Sequence, residues 1–286
     1  MIFRSVSFLV SSLVAVGILA SGSVAAADPG TPNAPNRPVR VMSFNIHHGV
    51  GTDGRLDLER IARVIEDQSI EVAGLQEVDR HFSERSDFVD QARWLAERLR
   101  MHVVFGANLS FDPLNPGEPR REYGTAILSR YPILEWSNTF LPKGPTSEQR
   151  GLLYARIPVR GVPFRFYNTH LQHDSATERL AQVRAIRDLI GAPDESVILV
   201  GDLNATPNDA EIKEITTDLV DTWLQAGVGP GYTYDAESPH ARIDYVLASG
   251  DVVARTAAVI TSDSSDHLPV AVDVELPGFK VGVGNG

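Results

Sequence analysis

Four short segments, far apart in this chain, end apolar runs with oxygen-bearing side chains or a histidine. They are Ser43-Phe44-Asn45-Ile46, Leu75-Gln76-Glu77-Val78-Asp79, Gly201-Asp202-Leu203-Asn204 and Ser265-Asp266-His267-Leu268. Carboxylate and amide oxygens are the ligands that hard divalent cations prefer, and strand ends deliver polar groups to a shared rim. Together the four segments predict a metal-assisted site that cleaves a phosphate ester.

The segment around Asp202 offers two polar groups to one target. Strand alternation would place Asp202 and Asn204 on the same face and Leu203 on the opposite one. A carboxylate and an amide in that arrangement would hold a nucleophilic water and orient it or a phosphate oxygen. The alternative is a simple turn, in which Asp and Asn are common.

Glu77 and Asn45 are the candidate metal ligands on the first strands. Glu77 ends the buried run that begins at Val72, a position that favours Mg²⁺ or Mn²⁺. Asn45 follows Val-Met-Ser-Phe, and its amide would hydrogen-bond a phosphate or a carboxylate that supports the metal site. A surface glutamate and a turn-capping amide are the alternatives for the two positions.

His267 is the candidate acid/base group, and such an imidazole needs a carboxylate to orient it. In an extended chain the side chains of Asp266 and His267 diverge, so a second carboxylate is required. Asp244 is the candidate because it interrupts an apolar strand, where an unpaired charge would be costly. A salt bridge to Arg242 is the alternative role. His170 also closes a strand, where it would donate to a phosphoryl oxygen or serve a structural role.

Four further side chains are expected to line the substrate groove: His47, Arg80, Tyr123 and Arg150. A zinc site made from His47, His48 and His173 is the alternative for the histidines, since imidazole suits zinc. The other candidate ligands are oxygen-rich, which favours Mg²⁺ or Mn²⁺.

Apolar spacing predicts the elements that position these groups. Strands are expected at 39–44, 72–75, 103–105, 125–128, 133–140, 152–157, 164–168, 197–200, 243–248, 253–260 and 269–274. Helices are expected from Leu58 at helical spacing, at 88–99, and up to residue 190 behind Ser175 and Glu178, which form a capping box. Both ends alternate strand and helix, whereas turns join the middle strands and favour antiparallel pairing. Mixed sheets with outer helices, in one domain at 39–276, are predicted.

The two termini are expected to stand apart from that domain. Residues 1–27 match an export signal, with Arg4 as the only charge, an apolar stretch at 8–20 and Ala25-Ala26-Ala27 as the cleavage site. A secreted or extracytoplasmic protein is therefore predicted, with an uncleaved membrane anchor as the alternative. Residues 28–38 predict a flexible leader and residues 277–286 a loose tail.

Composition narrows the function. The formal net charge is −11, so the chain has no basic surplus for tight, unselective binding of nucleic acid. Bound divalent cations could still reverse the sign of the charge at the site itself. The absence of cysteine excludes a cysteine nucleophile and thiolate-bound zinc.

Taken in order, these motifs resemble the endonuclease/exonuclease/phosphatase superfamily, which includes deoxyribonucleases, abasic-site endonucleases, neutral sphingomyelinases and inositol polyphosphate phosphatases. The likeness spans about residues 39 to 276 through Ser-Phe-Asn45, Gln-Glu77-Val, Tyr123-Gly124-Thr-Ala-Ile-Leu-Ser-Arg130, Asn-Thr-His170, Gly-Asp202-Leu-Asn204, Ile-Asp244-Tyr and Ser-Asp266-His267. It implies a four-layered α/β/β/α sandwich of two mixed, largely antiparallel sheets flanked by helices. The site would lie on one edge of the packed sheets.

The resemblance also implies a role for each site residue. Glu77 would be the principal metal ligand, with Asn45 nearby and Asp266 at a second metal position. Asp202 and Asn204 would position water and phosphate, His170 would stabilise the transition-state oxygens, and His267, oriented by Asp244, would be the acid/base group. The family leaves open whether Asp202 or His267 takes the proton.

The expected protein is thus an exported, Mg²⁺- or Mn²⁺-dependent phosphodiesterase. Endonuclease action is the leading form. The alternative is a phosphodiesterase or phosphatase that acts on a phospholipid or its head group and is sphingomyelinase-like or glycosylphosphatidylinositol-related. A noncatalytic binding module on the same fold is the third reading. The sequence shows neither a basic track for DNA nor an aromatic hairpin that would enter a bilayer. No protein partner is implied, and a monomer is expected.

Overall fold

The computed structural model describes residues 36–278. The predicted export signal at 1–27, the leader up to residue 35 and the tail from residue 279 lie outside the described residues. Within that range, none of the helices has the length and apolar character needed to cross a membrane.

The strands and the α-helices of the described chain are each numbered in chain order. The strands are β1 (Arg37–Asn45), β2 (Val72–Arg80), β3 (His102–Phe111), β4 (Arg121–Ser129), β5 (Glu135–Phe140), β6 (Gly151–Val159), β7 (Val162–His170), β8 (Val197–Asp202), β9 (Val220–Asp221), β10 (Asp244–Ala248), β11 (Val253–Val259) and β12 (Val270–Leu276). The helices are α1 (Leu58–Asp67), α2 (Gln91–Leu99), α3 (Ala176–Ile190), α4 (Ala210–Ile215) and α5 (Thr222–Ala226).

The strands form two six-stranded sheets with the orders β11-β12-β1-β2-β4-β3 and β5-β6-β7-β8-β10-β9. Each sheet contains one parallel pair, β1 with β2 and β7 with β8, and its other neighbours pair antiparallel. Helix α1 connects the first parallel pair and helix α3 connects the second. Both sheets are therefore mixed and largely antiparallel, as predicted.

Strand alternation divides the apolar side chains among three cores. In β1, Val41 joins the core between the sheets, which also contains Val200 of the second sheet, whereas Met42 belongs to the core on the opposite face. That face packs against α1 and α2 through side chains such as Leu95. The outer face of the second sheet packs against α3 and α4 through side chains such as Ile186. The result is the α/β/β/α sandwich that the sequence predicted.

Helix starts follow their capping residues. Helix α3 begins directly after Ser175, whose hydroxyl accepts from the Glu178 amide at 3.3 Å. The Glu178 carboxylate bonds Ser147 instead of returning to Ser175, so only one half of the predicted capping box forms. Helix α2 begins at Gln91, later than the predicted residue 88, because Asp90 caps it by accepting from the Arg93 amide at 3.0 Å.

Strand β2 continues past its predicted end at Leu75 to Arg80. Its pairing with β4 shifts register between Leu75 and Val78, and Glu77 within this bulge has a φ of 56°. A bulge bends a strand and redirects a side chain. The apolar run that ends at Leu75 carries no sign of this continuation. The short elements α4, β9 and α5 were not predicted either.

Asn168 of β7 joins the two sheets just below the edge that carries the polar segments. Its fully buried amide nitrogen donates to Leu75 O at 2.9 Å and Ala126 O at 2.8 Å, both in the first sheet. Its oxygen accepts from Gln76 Nε2 at 2.7 Å. The sheets approach closely here, because a Cβ on Gly74 would lie 2.3 Å from Val200 Cγ2. The contacts of Asn168 therefore fix the distance between the two sheets at the edge that carries the polar segments.

Candidate active site

The polar segments meet at one edge because both parallel pairs end there. Asn45 and Gln76 form the last pair of the β1–β2 ladder, and His170 and Asp202 form the last pair of the β7–β8 ladder. Ligand sites of open α/β sheets form outside the carboxyl ends of their strands. The cleft at this edge has a volume of about 360 Å³. Its lining residues are Glu77, Tyr123, Glu148, Arg150, His170, His173, Asp202, Asn204, Tyr234, Ile243, Asp266 and His267.

Asn45 connects the two carboxylates that the sequence assigned to different tasks. Its side-chain nitrogen donates to Glu77 Oε1 at 3.2 Å and to Asp202 Oδ2 at 3.1 Å. Its oxygen accepts from the His47 amide at 3.1 Å. The amide thus positions Glu77 against Asp202 across the gap between the sheets. Its role as a metal ligand stays a prediction.

The bulge in β2 presents the Glu77 carboxylate to the cleft. Among the described residues, no arginine or lysine forms an ion pair with Glu77, and its one hydrogen bond comes from Asn45. Glu77 shares the cleft with Asp202 and Asp266, and carboxylate oxygens of this kind are the ligands that Mg²⁺ prefers.

Asp202 lies at the centre of the site and is 1% exposed. Its Oδ2 atom is 3.5 Å from His170 Nε2 and 3.7 Å from His267 Nε2. Burial, and next the negative charge of Asp244, raise the pKa of Asp202 above its usual range. A carboxylate with a raised pKa beside two imidazoles is suited to accept a proton near neutral pH.

Asn204 reaches the cleft through a turn instead of strand alternation. Strand β8 ends at Asp202, whose Oδ1 accepts from the Asn204 amide at 2.9 Å, and Asn204 has a φ of 50°. Its side-chain nitrogen donates to Leu171 O at 3.0 Å. The prediction of strand alternation is therefore wrong, and the alternative, a turn, is what brings Asn204 beside Asp202.

His267 is oriented by Asp244, as predicted. The distance from His267 Nδ1 to Asp244 Oδ2 is 2.9 Å, and both residues are buried. Burial lowers the pKa of His267, but the charges of Asp244 and Asp202 outweigh it and raise the pKa to about 10. The alternative ion pair does not form, because Arg242 binds Asp221 at 2.8 Å.

His170 carries its proton on the nitrogen that faces Asp202. Its Nδ1 lies 3.1 Å from Arg150 Nη1, and since arginine can only donate, Nδ1 must accept. Burial, and next the charge of Arg150, lower the pKa of His170 well below its usual value. A neutral imidazole with Nε2–H directed into the cleft is an uncharged hydrogen-bond donor.

Asp244→Asn is expected to lower the pKa of His267 by about one to three units, because the variant removes a negative charge at hydrogen-bond distance. Asparagine keeps an oxygen for Nδ1, so the ring orientation is preserved. The pKa is measured by NMR titration of the histidine ring protons. Asp263→Asn, at a mostly exposed carboxylate, is the control. An unchanged His267 pKa would show that Asp244 does not set its charge.

The four predicted groove residues do not all reach the cleft. Tyr123 and Arg150 line it. His47 is outside its lining but adjacent to it, since His47 Nδ1 lies 3.7 Å from Asp266 Oδ1. Arg80 is also outside the lining, because it lies opposite Glu122 in the β2–β4 ladder and pairs with it. Its guanidinium also lies 4.5 Å from the Phe105 ring centre. Its assignment to the groove is therefore corrected.

Three site residues were missed by sequence reasoning: Glu148, Asn168 and Tyr234. Glu148 pairs with Arg150 at 2.9 Å, and the Tyr234 ring centre lies 4.8 Å from that of His267. Neither has a local sequence signal, since both lie in loops. Asn168 did carry one, because a buried amide inside an apolar strand requires partners, as Asp244 does.

Comparisons with known proteins identify similar sequences and structures. The sequence profile of the Endonuclease/Exonuclease/phosphatase family matches residues 42–267. The Escherichia coli (strain K12) protein named "Uncharacterized protein YbhP" is 26% identical over 252 residues, which cover 83% of this chain and 96% of that protein.

Solved structures show the same fold. An endonuclease/exonuclease/phosphatase from Beutenbergia cavernae DSM 12333 has a TM-score of 0.74 and 28% identity, over 84% of this chain and 72% of that one. A mannosyl-6-phosphatase from Bacteroides thetaiotaomicron VPI-5482 has a TM-score of 0.67 and 19% identity, over 82% of this chain and 99% of that one. At that identity the second likeness concerns the fold alone.

Proposed function

Since the chain belongs to the endonuclease/exonuclease/phosphatase family, we propose that it is a divalent-metal-dependent hydrolase of phosphate esters. One observation carries the proposal: Glu77, Asp202 and His267, from three distant segments, line a single cleft. A continuous set of contacts joins them, from Glu77 through Asn45 to Asp202 and from there to His267. A binding module would have no need of this arrangement of acid, base and orienting groups.

Each side chain has a task in the proposed reaction. Asp202 accepts a proton from water, whose oxygen forms a bond to phosphorus while the bond to the leaving oxygen breaks. The protonated His267 supplies positive charge beside the reacting phosphate and gives its Nε2 proton to the leaving oxygen. His170 donates from Nε2 to a phosphoryl oxygen, and Asn204 orients the water. The sequence left the choice of base open, and the raised pKa of His267 favours Asp202.

Glu77 and Asp266, with Asn45 beside them, would hold the cation. A bound divalent cation offsets the negative charge that builds on the phosphoryl oxygens. The sequence predicts Mg²⁺ or Mn²⁺. Export is also part of the proposal, since residues 1–27 have the pattern of a signal peptide.

The charge of the cleft favours a compact substrate over a long polyanion. Glu77, Glu148, Asp202 and Asp266 line it together with a single arginine, Arg150. The whole chain has a net charge of −11. Affinity for nucleic acid depends mainly on positive charge along the phosphate backbone. A lipid head group, which is the alternative substrate predicted from the sequence, or a sugar phosphate therefore suits the cleft better than DNA.

Substrate profiling tests the proposal. The purified chain is assayed with bis(p-nitrophenyl) phosphate, a hexose 6-phosphate, phosphatidylinositol, sphingomyelin and plasmid DNA, with Mg²⁺, with Mn²⁺ and with EDTA. We expect hydrolysis of a compact ester that EDTA abolishes, and slower cleavage of DNA. Preferential cleavage of DNA would restore the endonuclease reading. If no ester is cut with any divalent cation, the proposed function is wrong.

Glu77→Gln is expected to raise the metal concentration required for half-maximal rate by about 10- to 100-fold, the range seen when metal sites lose a supporting group. Glutamine keeps the shape of the side chain but removes the charge that attracts the cation. The measurement is a metal titration of the hydrolysis rate. Glu84→Gln makes the same change at an exposed position. A titration identical to that of the unmodified chain would remove Glu77 from the metal site.

A further inference from the structure

Two adjacent histidines lie beside Glu77 and take no part in the proposed reaction. His47, His48 and Glu77 each place one potential ligand atom within 4.8 Å of the others. The ring centres of the two histidines are 4.5 Å apart. The three residues are called the histidine cluster below. It combines two imidazole nitrogens with one carboxylate, whereas Glu77 and Asp266, the proposed ligands of Mg²⁺, are both carboxylates.

The backbone is shaped to bring the two imidazoles together. Successive side chains point to opposite sides in an extended strand, but His47 and His48 have φ values of 44° and 42° in a single 3-10 turn. For residues other than glycine, such conformations cost about 1 to 3 kcal/mol of free energy, and they persist only where surrounding contacts enforce them. They also concentrate at binding sites.

Buried contacts enforce this turn. Gln91 is fully buried, donates to His48 O at 2.7 Å and accepts from the Asp79 amide at 3.0 Å. A Cβ on Gly49 would lie 2.8 Å from Leu58 Cδ2, so the next position admits only glycine without displacement. The turn is therefore fixed to β2, the strand that carries Glu77.

The imidazoles also have unsatisfied nitrogens. The Nδ1 atoms of His47 and His48 are buried and lack hydrogen-bond partners. Asp266 Oδ1 is 3.7 Å from His47 Nδ1, which is too long for a hydrogen bond. Buried polar atoms without partners are uncommon in proteins and call for an explanation such as an ion.

We propose that the histidine cluster binds a borderline transition ion such as Zn²⁺ or Co²⁺ more tightly than Mg²⁺. Imidazole nitrogen suits these ions, whereas Mg²⁺ requires oxygen ligands in octahedral geometry. The zinc site considered from the sequence included His173, but in the described chain the third member is Glu77. The inference rests on the proposed function, because both assign Glu77 as a metal ligand.

Metal binding is measured without turnover. The full chain, freed of metal with EDTA and dialysed, is titrated calorimetrically with Zn²⁺, Co²⁺ and Mg²⁺, and visible absorption follows the coordination of Co²⁺. The variant combines His47→Asn and His48→Asn, because asparagine tolerates left-handed conformations and preserves the turn. His102→Asn, at an exposed histidine, is the matched control.

We expect the unmodified chain and the control to bind Zn²⁺ at least about 100-fold more tightly than Mg²⁺. The double variant should lose about 10- to 100-fold in Zn²⁺ affinity and keep its Mg²⁺ affinity. Equal affinities of the unmodified chain for Zn²⁺ and Mg²⁺, or an unaltered Co²⁺ spectrum in the double variant, would overturn the inference. If the double variant does not fold by circular dichroism, the single variant His48→Asn is compared with the unmodified chain in the same titrations, and unchanged Zn²⁺ affinity in it would overturn the inference.

The same proteins separate this inference from the proposed function. One outcome is ester hydrolysis with Mg²⁺ together with a Zn²⁺ affinity that both histidine substitutions leave unchanged. This outcome would refute the inference but support the proposed function. Histidine-dependent Zn²⁺ binding by a chain that cuts no ester would refute the function and leave the inference standing.

Discussion

His267→Ala should lower kcat by about 100- to 10,000-fold, the contribution typical of a general acid or base. Its ring lies between Asp244 and Asp202, and its raised pKa keeps it positively charged at neutral pH. Alanine removes both the charge and the donor that faces the phosphate. Steady-state kinetics on the best compact ester measure the loss, with His102→Ala as the exposed control.

The fold must be monitored in the same experiment. Removal of His267 leaves the Asp244 carboxylate buried without its partner, which costs about 3 to 5 kcal/mol for a broken buried pair. His267→Gln retains a hydrogen-bonding group at this position and should be as inactive but more stable by thermal unfolding. Near-normal kcat in a folded alanine variant would exclude His267 from the reaction.

Asp202→Asn should also reduce kcat by about 100- to 10,000-fold, because the variant removes the proposed base and keeps the size of the side chain. The oxygen that contacts Asn45, His170 and His267 would no longer accept a proton. Substrate binding should change less than turnover, so KM remains near that of the unmodified chain. Asp174→Asn makes the same change at an exposed residue and should have no effect.

The pH profile distinguishes a base from a structural residue. A base must be ionised, and burial raises the pKa of Asp202, so the rate should fall with decreasing pH at higher values than for an ordinary carboxyl group. The residual activity of Asp202→Asn should lack this acidic decline. If the decline persists unchanged in the variant, another group is the base.

The predictions that held depend on local physics. Ser175 starts α3 because its hydroxyl accepts from a backbone amide three residues ahead. A charge inside an apolar strand demanded a partner, and Asp244 has one in His267. Both inferences need only a few residues of sequence or the cost of a buried charge.

The predictions that failed depend on contacts between distant segments. Both Arg80 and Arg150 were predicted to line the groove, but the pairing of β2 with β4 places Arg80 opposite Glu122. The bulge at Glu77 arises from the pairing of β2 with β4, and no residue type in the segment marks it. Likewise, the side-by-side arrangement of His47 and His48 depends on Gln91, more than forty positions along the chain from His48. Sequence spacing alone carries none of this information.

Because Asn168 links the two sheets, the rate of hydrolysis should report on their docking during refolding. The first sheet contributes Glu77 and the second contributes Asp202, and the buried amide of Asn168 fixes one against the other. Neither half carries a complete set of reacting groups. During refolding, recovered activity should therefore lag behind the return of secondary structure and mark the moment at which the halves dock.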